Sequence, residues 1–165
     1  MTRPNHDLPP LHQQVLGLLE GGHAHLDFES AFSDVPDSHW NRAPDTQPHS
    51  LWQQLEHMRI CQWDLIGFSI DPDHRSPPFP LGYWPDPSVE ASESQWQSSL
   101  SAFRRDAREF QSLVRNTTDL TADLPHAVGY SVLREALVLA DHNAYHLGQV
   151  VALRRALGIW PTERQ

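Results

Sequence analysis

A chain of 165 residues with 39% apolar and 20% charged side chains fits a single globular domain, 1–165, large enough to bury a core. The net charge is −9 and the twelve basic residues are all arginines, scattered in ones and twos, which argues against nucleic acid or an anionic membrane as a partner. One cysteine excludes an intramolecular disulfide and a zinc site built from several thiolates.

No apolar run approaches the roughly 20 residues of a membrane span, and no charged-then-apolar segment opens the chain, so a cytoplasmic protein is expected. Residues 1–8 read as a flexible N-terminus. A first helix is predicted over about 10–32, with Leu11, Val15, Leu18, Leu19 and Leu26 at helical spacing. Gly21 and Gly22 weaken it and mark a kink or a close contact. Three prolines make 34–48 a loop.

Ser50 is suited to cap a second helix that runs to about residue 70, where Asp71-Pro72 stops it. Its apolar stripe is Leu51, Leu55, Met58, Leu65 and Ile66. The proline-rich segment 71–88 carries Phe79, Tyr83 and Trp84 and reads as an ordered crossover or lid, suited to shape a pocket mouth. A third helix is predicted over about 88–115, with Trp96, Leu100, Phe103, Phe110 and Leu113 facing inward. The fourth, over about 131–157, starts at Ser131 and stops at Gly158 before Pro161. Arg154 and Arg155 in its last turn complement the helix dipole. With no strand-like alternation, the expectation is an all-α protein, an antiparallel four-helix bundle with long proline-rich crossovers.

The chemistry sits on the helix faces. His142 and His146 are one turn apart, close enough to share a metal ion. A helical wheel places Glu135, Val138, His142, His146, Gln149 and Leu153 on one stripe of the otherwise apolar face. Buried polar groups need hydrogen bonds or ligation, so these residues are either core groups with partners or a site. His57 lies at the edge of the second helix's apolar arc, followed by Cys61 and Asp64, and can reach the interior from a neighbouring helix. Cys61 reads as a small buried apolar residue rather than a nucleophile, and Asp64 as a supporting or solvated group. A di-iron carboxylate bundle requires Glu-x-x-His motifs on two helices. Here only Glu20 and His23 have that spacing, across Gly21-Gly22. In the metalloprotease pattern glutamate follows the first histidine; that position is Asn143.

The segments PHSLWQQLEHMRICQWDLIGFS at 48–69, PLGYWP at 80–85 and LREALVLADHNAYHLGQVVALRRALGIWP at 133–161, with the order of helices, resemble the DinB-like superfamily over nearly the whole chain. These metal-binding four-helix bundles include S-transferases for bacillithiol and mycothiol. The resemblance implies His57, His142 and His146 as metal ligands, Gly148 and Gln149 as packing and polar support, and a homodimer formed through bundle faces.

Three neutral imidazoles would leave a divalent ion its charge and an open position, suited to activate water or a thiol. Zinc and nickel fit nitrogen donors best, with iron and manganese as alternatives. The expected function is metal-dependent transfer of a low-molecular-weight thiol to a small electrophile, with hydrolysis of a small substrate or non-catalytic metal or ligand binding as alternatives. Glu135 is the candidate acid or base, or alternatively a supporting residue beside the site, with Gln149 and Asp64 as supporting residues.

Overall fold

The structure is a computed structural model that describes residues 7–161. Most of the expected flexible N-terminus, residues 1–6, lies outside the described residues, while Leu8 is buried in the core. The described residues form five α-helices: α1 (Pro10–Glu20), α2 (Phe28–Phe32), α3 (Leu51–Ile70), α4 (Glu93–Asn116) and α5 (Val132–Ala156). Helix α3 packs against α4 and α5, and α1 packs against the same two helices.

The first predicted helix is broken in two. Gly21 and Gly22 take φ of 73° and 79°, a left-handed conformation that ends α1. Asp27 then caps α2 by accepting from the Ser30 amide. On α1, Val15 and Leu16 are buried, but Leu11 and Leu18 of the expected stripe are 43% and 49% exposed.

Helix α3 begins with a capping box: the Ser50 hydroxyl accepts from the Gln53 amide, and the Gln53 side chain accepts from the Ser50 amide. Ser92 and Gln95 make the same device at α4, so that helix starts later than the sequence suggests. Ser131 caps α5 as expected. A feature absent from the sequence reading is a small antiparallel hairpin, β1 (Asp123–Leu124) with β2 (Ala127–Ser131), leading into α5. Its outer residues Val128 and Tyr130 are exposed, so no period-two burial marks it.

The buried apolar residues form two clusters. One gathers Leu51, Leu55 and Met58 of α3 with Trp96, Leu100 and Phe103 of α4 and Leu147, Val150 and Leu153 of α5, together with Phe32 and Trp40. The other joins Leu16 of α1 to Ile66, Phe110, Val114, Val132, Ala136 and Leu139. Along α3, α4 and α5 the sequence between them carries polar groups: Gln62, Asp106, and His142, Asn143 and His146. His142 and His146 therefore lie on the polar stretch between the two clusters, while His57 sits between Leu55 and Met58 of the first.

Arg154 is fully buried rather than serving only the helix dipole. It donates to the Ala31 carbonyl at 2.6 Å and to Asp34 at 2.8 Å.

Candidate metal centre

Helices α3 and α5 bring the three expected histidines together. The Nε2 atom of His57 lies 3.1 Å from Nε2 of His142 and 3.1 Å from Nε2 of His146. His57 and His146 are more than nine-tenths buried, and His142 is half-buried. The one-turn spacing on α5 sets the His142 and His146 rings 4.4 Å apart, and His57 approaches from the facing helix.

The remaining ring nitrogens decide where the protons sit. Nδ1 of His57 is 2.7 Å from the backbone carbonyl of Tyr83. A carbonyl only accepts, so Nδ1 carries the proton and Nε2 is bare. Nδ1 of His146 donates to the side-chain carbonyl of Gln54 at 2.9 Å. Gln54 is oriented in turn, because its amide nitrogen donates to Gln149 at 3.0 Å. His146 therefore also presents a bare Nε2. Among the described residues no hydrogen-bond partner fixes the Nδ1 of His142.

Two bare nitrogens 3.1 Å apart repel unless a cation lies between them. Burial keeps the histidines from supplying that charge as protons. It lowers the pKa of His57, that of His142 to about 4 with His57 adding to the effect, and that of His146 to about 3, with His142, His57 and His49 contributing. Tetrahedral coordination with metal–nitrogen distances of about 2.0–2.1 Å separates the ligand atoms by about 3.3 Å. The 3.1 Å separations from His57 are close to that spacing, and His57, Cys61 and His142 form a group whose ligand atoms could hold a metal ion.

Cys61 is buried, as expected of a packed residue, but its sulfur also lies 3.7 and 3.8 Å from the two ring nitrogens of His57. Ligand atoms of His57, Cys61 and His142 all fall within 4.8 Å of one another. Burial, then the charge of Asp64, pushes the Cys61 thiol up to about 12.

The crossover covers the site. Trp84 stacks on His57 with ring centroids 3.8 Å apart and on His49 at the same distance. Both carboxylate oxygens of Asp64 are engaged: Tyr83 donates its hydroxyl at 2.6 Å, and Nε2 of His74 lies at 2.7 Å. Burial, followed by the Asp64 carboxylate, raises the Tyr83 hydroxyl to about 12.

The other expected residues stand further out. Gln149 reaches His146 through Gln54, and Asp64 reaches His57 through Tyr83. Glu135 is 1% exposed and ion-paired with its neighbour Arg134. Val138, placed on the inner stripe by the wheel, is 39% exposed. Sequence reasoning passed over Gln54 and His49, and it set Tyr83 and Trp84 at a pocket mouth without their contacts to His57. The available signal for Gln54 was its position one turn before His57. Tyr83 acts through its backbone, which no side chain announces.

No curated protein and no solved structure matches this chain. The sequence profile of the DinB superfamily matches residues 23–150, which span the capped helix bearing His57, the crossover and the helix bearing His142 and His146, and the chain belongs to that superfamily.

Proposed function

We propose that this protein is a metal-dependent enzyme that holds one divalent ion, zinc or nickel in preference to iron or manganese, at His57, His142 and His146 and transfers a small thiol to an electrophile. The observation that carries the reading is the pair of bare Nε2 atoms of His57 and His146 held 3.1 Å apart. When bound, such an ion supplies positive charge that lowers the pKa of a thiol or water beside it. Tyr83 and Gln54 orient the two histidines, and Trp84 covers one face of His57. Gln149 and Asp64 enter as supports of Gln54 and Tyr83, and Glu135 as the candidate acid or base.

The same reading gives the long helices the antiparallel four-helix bundle arrangement and takes a small molecule as partner, with no nucleic acid or membrane. It places the protein in the cytoplasm and allows a second copy to pair through a bundle face. Among the described residues no helix is long and apolar enough to cross a membrane.

A second reading, a non-catalytic metal-binding bundle, draws on Cys61. A fourth protein ligand closes a site, as in structural zinc centres. Metal analysis and thiol assays separate the two. Untagged protein is expected to carry about one divalent ion per chain, and His57→Ala and His146→Ala to lose it. Unchanged metal content in both variants sinks the site. Metal-dependent consumption of a low-molecular-weight thiol with a chlorinated aromatic electrophile supports transfer. No consumption across several thiols leaves hydrolysis or binding alone.

A further inference from the structure

We propose that Asp64, seated by means of Gly67, is the positioning residue of this metal centre: through Tyr83 it holds His57 in its ligating orientation. The proposal rests on the metal reading above and concerns what sets the geometry of one ligand.

Asp64 follows His57 by two turns on α3 and is 8% exposed. A buried carboxylate needs donors, and both of its donors come from the crossover rather than from the helices. The Tyr83 hydroxyl binds Oδ2 at 2.6 Å, and the His74 ring meets Oδ1 at 2.7 Å. Tyr83 then turns back to the centre, its carbonyl accepting the Nδ1 proton of His57 at 2.7 Å. The next residue, Trp84, lies parallel to the His57 ring at 3.8 Å. Two of the contacts that fix the His57 ring therefore belong to consecutive crossover residues, and the side chain of the first is anchored on Asp64.

Gly67 supplies the second, independent observation. Glycine is the poorest helix former after proline, yet it stands inside α3. A Cβ at this position would lie 2.4 Å from Nδ1 and 2.5 Å from Cε1 of His74. Any side chain there displaces the His74 ring, and with it one of the two bonds to Asp64. The helix gives up propensity where His74 of the crossover docks.

The experiment is zinc affinity by chelator competition, with the visible spectrum of the cobalt(II)-loaded protein, for wild type, Tyr83→Phe, Asp64→Asn and Gly67→Ala. Each variant keeps all three histidines and the Tyr83 carbonyl. The expected result is a loss of zinc affinity of about 10- to 100-fold in each, with a changed cobalt spectrum, because orienting partners of metal ligands carry that weight. Tyr83→Phe removes a single hydroxyl, and its metal-free thermal midpoint distinguishes a loss of orientation from a loss of fold. Weakened binding with an unchanged midpoint supports the proposal. Wild-type affinity and spectrum in Tyr83→Phe and Asp64→Asn overturn it while leaving the metal centre standing. Absence of zinc and cobalt binding by wild type overturns the metal reading and this proposal together.

Discussion

At the residue scale, the candidate centre depends on where three imidazole protons sit. The Tyr83 carbonyl and the Gln54 amide oxygen draw protons to Nδ1 of His57 and His146 and leave Nε2 of each free to face the other. Burial then opposes any second proton. In an unfolded chain imidazole titrates near about 6.5, whereas the folded protein holds His142 down to about 4 and His146 down to about 3. Between those limits the unfolded state binds more protons, so stability rises with pH across the window. The metal-free protein is expected to hold its full thermal midpoint above about pH 6.5 and to lose it progressively as the pH falls towards about 4. A midpoint flat across that range in the metal-free protein argues against neutral, buried histidines. That His142 and His146 share a face was legible in the sequence from their one-turn spacing, whereas His57 on another helix was tied to them only by the family resemblance. The backbone carbonyl of Tyr83 was not, because every residue has one and only the path of the crossover selects it.

At the element scale, helix starts were legible wherever capping chemistry was unambiguous. Ser50 and Ser131 stand where they were expected, whereas α4 waits for Ser92 because Gln95 completes its box. Ser88, near the expected start, instead donates its hydroxyl to Asp86 within the crossover. Removing the cap in Ser50→Ala is expected to lower stability by ~1 kcal/mol, read as a drop in thermal midpoint. The metal content should not change, because His57 lies two turns inside α3. The break after α1 was half legible. The paired glycines signalled weakness, but only the positive φ at both ends the helix outright. The hairpin was hidden because its exposed strand has no buried face to create a pattern.

At the scale of the whole molecule, two apolar clusters flank a polar stretch that carries His142 and His146, with His57 at the edge of the first cluster. This division follows from alternation along α3, α4 and α5 together, and no single helix reveals it in the sequence. Phe110 is fully buried in the cluster that includes α1. Phe110→Ala is expected to destabilise the protein by ~3–5 kcal/mol in denaturant unfolding. Folded Phe110→Ala protein should still hold its metal, because the cluster touched is not the one beside Leu55 and Met58. Loss of metal from the folded variant would show that the two halves of the core act as one.

Arg154 adds a constraint of a different kind, one of timing. Its guanidinium reaches Ala31 and Asp34, 123 and 120 residues earlier in the chain. Such distant partners are the slow contacts of folding, since a long loop must close before they reward it. A chain emerging from its N-terminus has placed α2 and α3 long before α5 exists. His142 and His146 ride on the same helix as Arg154, so the centre has only one of its three histidines until the last long helix docks. On the proposed metal reading, ion capture would coincide with the docking of α5, and a nascent chain cut short before α5 would have no complete site to load.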